Sequence, residues 1–390
     1  MASMAGRLAS QLVAVVLAVV VVAGGVAQRL VSAGCRGRWL FDVRRSLVLA
    51  VLATSLVVAS GARAATATGV LTGSSDTWDP SAGIDVPTGD TFLAWTLYTR
   101  GAPHAFLRVN SDPKLLLNRR GLGWAWSIDV PTQRAAYQQD RHGNSDVKFY
   151  DWATGLRSDP GAAVDTTRWE YEPAVSGQWL AFARLNRAAA PDMRRIILYN
   201  LTTKRSTVLA KFSGSAAIGT LESPEISGDW VTWTAMSDRY RRSSVHRYQI
   251  STGKAYRIRH PVGWLDYLSS IGPDGTVYFL RSRPGCGNRV VFESYTTAGV
   301  LSRLGSMPAG RDGGDEMFAV PRPDGSTSLY FDSYKCTARN ANGNIYLLNV
   351  PAGATSIGGV VRRGSLRPAL APKRFPAAAQ RRRWMIEGGS

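Results

Sequence analysis

Histidine and cysteine are scarce in this chain, four and three residues among 390. His104, His142, His246 and His260 fall at no metal-ligand spacing, and His142, within Asp140-Arg-His-Gly-Asn144, reads as a loop residue. The chain has no Gly-x-Ser-x-Gly elbow, Walker loop, zinc signature or Asp-x-Asp calcium spacing. Nothing therefore announces a nucleotide-, zinc- or calcium-dependent activity, and neither a cofactor nor a metal is expected. Acidic residues are few as well, 28 against 47 Lys and Arg, for a formal charge of +19. That excess sits in the ends. Residues 1–65 hold seven Arg and one Asp, and residues 351–390 hold eight Lys or Arg and one Glu. The 285 residues between carry 32 basic and 26 acidic groups, a balance of only +6. So mixed a surface gives little reason to expect nucleic-acid binding.

What the chain does contain is one phrase written twice. Pro173-Ala-Val-Ser-Gly-Gln-Trp-Leu-Ala-Phe182 returns as Pro224-Glu-Ile-Ser-Gly-Asp-Trp-Val-Thr-Trp233. Aligned on the turn inside the phrase, six copies emerge, anchored at Gly89, Thr132, Gly177, Gly228, Gly275 and Gly325. Their spacings of 43, 45, 51, 47 and 50 residues match the roughly 40–50-residue period of propeller blades. Within each copy, short runs rich in Val, Ile, Tyr, Phe and Trp lie between Gly, Asn, Asp and Pro, the pattern of strands. Third strands read as Ala105–Val109, Val147–Asp151, Ile196–Asn200, Val245–Ile250, Arg289–Tyr295 and Ile345–Val350. With no long amphipathic helix in the repeats, the expected fold is all-β: a six-bladed β-propeller of four-stranded blades over residues 66–350. Closure stays open, since Gly69–Val86 suits either the first inner strand or an outer strand of the last blade.

Two apolar segments precede the repeats. Arg44-Arg45, then Ser46–Ser60, then Ala62-Arg-Ala64 has the three parts of a secretory signal. Gln11–Gln28 is long enough for a membrane span. Residues 1–65 are thus either a signal preceded by a misplaced start or a membrane segment that is kept, with membrane association through it. The clean cleavage site favours the first. Both readings place the propeller outside the cytoplasm, secreted or in the cell envelope. Residues 351–390 read as a disordered basic tail. Without Cys35 in the leader, Cys286 and Cys336 form an even pair in equivalent loops of neighbouring blades, where an oxidising compartment would join them.

The doubled phrase, with Ile197-Leu-Tyr-Asn-Leu-Thr-Thr-Lys204 and His246-Arg-Tyr-Gln-Ile-Ser-Thr-Gly-Lys254 after its two copies, resembles the TolB-like six-bladed propellers of exported bacterial proteins. The likeness covers roughly residues 75–350 and weakens in the first two blades, where Val130-Pro-Thr-Gln133 replaces the Ser-Gly-Asp turn. It implies the propeller fold and a periplasmic scaffold that engages envelope partners. Function does not pass with fold alone.

Candidate site residues come from position. Innermost strands line the channel of a propeller, and ligands favour its concave mouth. Four residues before Ile84, Ile128, Val175, Ile226, Ile271 and Val320 stand Pro80, Trp124, Tyr171, Glu222, Tyr267 and Glu316. Five before stand Asp79, Gly123, Glu170, Leu221, Asp266 and Asp315. The expected ligand-binding mouth is therefore Asp79, Trp124, Tyr171, Glu222, Tyr267 and Glu316, rings and acids that suit a carbohydrate or a cation. The competing structural reading has the rings wedged between blades. Two functions follow: a monomeric binding module for an envelope protein or glycan, and a secreted carbohydrate- or lactone-acting hydrolase using two mouth carboxylates. No residue is singled out as catalytic, and the binding module stands ahead.

Overall fold

The computed structural model describes residues 67–352 apart from 73–75, 120, 189–191, 215–218, 238–240, 259 and 337–342. The two apolar leader segments and almost all of the basic tail lie outside the described residues. All the described residues belong to the compact unit that begins at Arg63.

Their strands form six antiparallel sheets of four. The innermost strands are Asp76–Ile84, Leu122–Asp129, Trp169–Ser176, Gly219–Ser227, Leu265–Ile271 and Met317–Pro321. Each contacts the innermost strand of the next blade, and the last contacts the first, so the ring is closed. Both alternatives for closure turn out to hold. Thr68–Leu71 forms the outermost strand of blade 6, pairing Thr68 with Leu347 and Gly69 with Tyr346, while Asp76–Ile84 opens blade 1. Tying the two ends of the propeller into one sheet leaves no blade free to peel away.

The core lies between blades. Leu280, Phe292, Met317, Phe331 and Leu348 pack across blades 5 and 6. Leu185, Ile196, Leu221, Val231 and Trp233 do so across blades 3 and 4. Each such aliphatic or aromatic side chain contributes about 1.5–3 kcal/mol when fully buried. Inner-strand amides that face away from their own sheet still need acceptors. Hydroxyls of the preceding blade supply them. Thr96 Oγ1 accepts from the Ala125 amide at 3.0 Å, Ser127 Oγ from Val175 at 3.1 Å, and Ser270 Oγ from Ala319 at 2.9 Å.

Cys286 and Cys336 are joined, their Cα atoms 5.4 Å apart, across the second-to-third-strand loops of blades 5 and 6. The Asp312 carboxylate fastens the same loops, accepting from the Gly287 amide at 2.7 Å and the Cys336 amide at 2.6 Å. At the seam between the last and first blades, the Thr77 amide donates to Gly343 O and the Gly343 amide to Asp76 Oδ1, both at 2.9 Å.

Candidate functional site: a buried carboxylate network on the axis

Antiparallel order decides which loops share a face. Each inner strand starts on one face and turns at the other, and the second strand returns, so the second-to-third-strand loops sit beside the inner-strand starts. The Thr77–Gly343 bonds and the disulfide lie on this face.

Four inner strands carry the same irregularity. Pairing breaks between Trp78 and Ser81, Tyr171 and Ala174, Glu222 and Glu225, and Tyr267 and Ser270. These are β-bulges, which re-aim side chains at barrel rims and functional sites. In each, a non-glycine residue takes left-handed backbone: Asp79 (φ 53°), Glu172 (52°), Ser223 (47°) and Leu268 (49°). Such conformations cost on the order of 1–3 kcal/mol apiece and persist only where surrounding contacts hold them. Proline follows in three of the four, as Pro80, Pro173 and Pro224. Lacking a donor, it fits a strand whose bulge leaves the position unpaired.

The bulges assemble a network across the axis. The Ser223 amide donates to Glu172 Oε2 at 2.6 Å, and Ser223 Oγ to Glu316 Oε2 at 3.1 Å. Ser223 belongs to blade 4 and Glu316 opens blade 6. With blade 5 between them, this bond crosses the centre of the ring. Asp332, on the second strand of blade 6, accepts from the amides of Asp79 at 3.2 Å, Asp315 at 2.6 Å and Glu316 at 3.2 Å. Asp79, Asp332 and Glu316 are essentially inaccessible to solvent, and Glu172 and Glu225 are buried. Burial drives the Glu316 carboxyl well above the usual carboxylate range, reinforced by the charges of Glu225, Glu172, Asp79 and Asp332. Burial alone does the same to Glu225, against a backbone hydrogen bond from Ile226. Chemically, the axis holds two carboxyls that keep their protons, Glu316 and Glu225, beside others that accept from Ser223 and from backbone amides.

Of the residues expected at the mouth, Asp79 and Glu316 enter this network. Trp124 is fully buried, its Nε1 donating to Tyr98 Oη of blade 1 at 3.1 Å. Tyr171 packs in the cluster shared by blades 3 and 4. Tyr267 packs against the blade 5–6 core, and burial pushes its hydroxyl up to about 12. Glu222 is half-buried in the ladder opposite Thr234. The structure thus brings two of the six together and sets three rings in interblade packing. Two of the acids counted five back also find partners within their blades. Glu170 meets Arg184 at 2.7 Å, and Asp266 meets Arg281 at 2.6 Å, with Glu293 on the same guanidinium at 2.6 Å. The count from Ile84 starts two residues late: Ala82, opposite Leu93, is the counterpart of Val175 opposite Leu180, and the blade 1 ladder runs on to Ile84 opposite Thr91. Sequence reasoning missed Glu172, Ser223, Glu225 and Asp332. The repeated Asp-Pro, Glu-Pro and Ser-Pro steps were the available signal for the first two. Among the described residues, no three His, Cys, Asp or Glu side chains form a set able to hold a metal ion.

The fold and axis define a closed six-bladed β-propeller with a sealed, acidic centre. No protein-family model matches the chain, and no curated protein does. Among solved structures it is similar to a protein of unknown function from Dyadobacter fermentans, at 8% identity and a TM-score of 0.53, covering 74% of this chain and 99% of that one. It is also similar to TolB from Acinetobacter baumannii, at 15% identity and a TM-score of 0.45 over 66% of this chain. The chain spans 63% of that TolB's length. A third likeness is to oligogalacturonate lyase from Vibrio parahaemolyticus, at 10% identity and a TM-score of 0.43, covering 72% of this chain and 99% of that one. At these identities the likenesses speak to fold alone, and the two with TM-scores under 0.5 add no functional content.

Proposed function

We propose that this protein is an exported, non-catalytic recognition propeller that engages a cell-envelope component through the face where its inner strands begin. One observation carries the reading. The Glu172–Ser223–Glu316 bonds close the axis from within, so recognition falls to the loops around it. A hydrolase would need an acid and a base open to substrate, whereas these carboxylates are buried against each other. The joined Cys286 and Cys336 suit an oxidising compartment, in keeping with the secretory pattern ending at Ala64.

Two measurements test this. N-terminal sequencing of protein recovered outside the cytoplasm should begin after Ala64, and the purified protein should sediment with washed cell envelopes. Retention in the cytoplasm, or failure to sediment, would overturn the proposal.

A further inference from the structure

The recognition face carries a cation in every blade. Its second-to-third-strand loops, with the strand ends beside them, present Arg100, Arg141, Arg187, Arg241, Arg283 with Arg289, and Lys335, one blade after another and all exposed. Several carboxylates on the same face are engaged: Asp140 feels the charge of the rim cation Arg187. Asp159 and Asp165 bind Lys148 at 2.7 and 2.9 Å, and Asp312 holds the disulfide loops.

The opposite face carries exposed lysines at third-to-fourth-strand turns, Lys114, Lys204 and Lys254, but its first-to-second-strand turns are acidic. Five of its six first-to-second-strand turns contain aspartate: Asp85, Asp129, Asp229, Asp274 and Asp324. Turn chemistry explains them. Asp85 accepts from Thr88 at 2.9 Å, Asp274 from the Thr276 amide at 3.0 Å, and Asp324 from the Ser326 amide at 2.9 Å.

Two of the hairpins oppose their own local chemistry. Arg100-Gly101 (φ 52° and 83°) and His142-Gly143 (φ 52° and 79°) are two-residue turns with positive φ at both positions. Asn or Asp is the favoured first residue of such a turn. A basic side chain stands there in both blades, and broken local rules without a structural gain mark functional positions. Rim cations also accompany indole rings. Arg187 lies 3.7 Å from the Trp169 ring centroid and Arg283 5.5 Å from that of Trp264, both rings partly exposed where inner strands begin.

We infer that this rim binds a polyanionic glycan chain, its charged groups spaced along the polymer pairing with successive blades. The inference rests on the recognition role proposed above and names the ligand class. Guanidinium pairs bidentately with carboxylate and phosphate, and an indole beside it offers a sugar ring a stacking surface. A lipid surface fits less well. Of the exposed large apolar side chains among the described residues, Val262 alone belongs to this face, so little is offered for insertion.

The test uses the full exported chain with labelled alginate (a polyuronate), polyphosphate and neutral dextran. Five phosphate or uronate contacts, taken at the coefficient for a flexible single strand, predict about a 100-fold loss of affinity between 50 and 200 mM salt. Alginate binding ahead of polyphosphate identifies uronate as the anion, and the reverse identifies phosphate. The variant R100Q/R141Q/R187Q/R241Q/R283Q should lose most of this binding and most of its salt dependence, while K114Q/K204Q/K254Q on the opposite face keeps both. Should the fivefold variant fold poorly, R141Q and R283Q alone should each shallow the logarithmic salt slope by about 0.7. Equal binding of dextran, or binding that survives loss of the rim cations and so belongs to the basic tail, overturns the inference. If envelopes still sediment that variant, the recognition proposal stands without it; if wild type never sediments with envelopes, both fall.

Discussion

Replacing Glu316 with Gln should make the folded protein less sensitive to alkaline pH. Glu316 and Glu225 both have folded pKa values raised by burial above the ordinary 4.5. An acid raised in this way keeps its proton in the folded state after the unfolded chain has lost it. Stability is therefore full below about 4.5 and falls as pH climbs from there toward the folded value. While the difference of one proton lasts, each such carboxyl contributes a slope of about 1.4 kcal/mol per pH unit. His246 acts in the opposite sense. Burial and Arg257 push its ring down from 6.5 to about 4, so it makes stability rise with pH up to about 6.5 and then stops. The window from pH 6.5 to 8 thus isolates the acids. Glu170, pushed by burial to about 7 with Thr166 and Arg184 pulling back, adds to the slope there in both proteins. Urea midpoints followed by tryptophan fluorescence at four pH values should give E316Q a shallower slope, by at most about 1.4 kcal/mol per unit, and greater stability at pH 8. Gln retains an acceptor for Ser223, so the network's geometry survives the change. Parallel slopes in the two proteins would refute the claim that Glu316 is held protonated on the axis.

Three further outcomes follow from the packing. C286S/C336S opens a link of 50-residue sequence separation and should cost about 4 kcal/mol by the chain-entropy estimate; equal urea midpoints with and without reductant would show that Asp312 holds the loops unaided. W124A should destabilise by about 3–5 kcal/mol, measured by chemical denaturation, because the ring is fully buried between blades 1 and 2. Less than about 1 kcal/mol would return Trp124 to the mouth. G343A would place a Cβ 2.5 Å from both Thr77 O and the Trp78 ring, straining the closing seam by roughly 1–3 kcal/mol, with faster amide exchange at Thr77 as the local readout.

The fold was legible because the repeat recorded it at several levels. Turn glycines, aromatic runs and spacing all specified four strands per unit, and the pair of cysteines fell in equivalent loops. Third strands nonetheless start earlier than their apolar runs suggest, at Ala102, Asn144, Met193 and Arg242. Backbone pairing extends past the apolar run, carrying the buried Arg194 and the partly buried Arg195 opposite Leu185 and Arg184. Position at the mouth was harder to read. Counting residues assumes an unbroken strand, and a bulge inserts positions that no hydropathy pattern registers. Asp79, the counterpart of Glu172 and Ser223, fell into the five-back set because the blade 1 ladder extends two residues further, to Ile84 opposite Thr91. The rings were misplaced because Trp124, Tyr171 and Tyr267 pack against neighbouring blades, which a count along one strand does not register.

The same comparison explains how an acidic axis and a basic rim coexist in one molecule. Charge on a loop tip is screened by solvent and costs the fold little. Charge on the axis is desolvated, and it persists there only as protonated or hydrogen-bonded carboxyls. The Ser223–Glu316 bond links blades 4 and 6, with blade 5 between them, so the network fixes the centre while the loops around it stay free to vary. Recognition then needs no opening through the middle. A cation at each hairpin, set by a rigid blade, offers a linear polyanion partners blade after blade around the ring, and salt dependence is the property by which that arrangement declares itself.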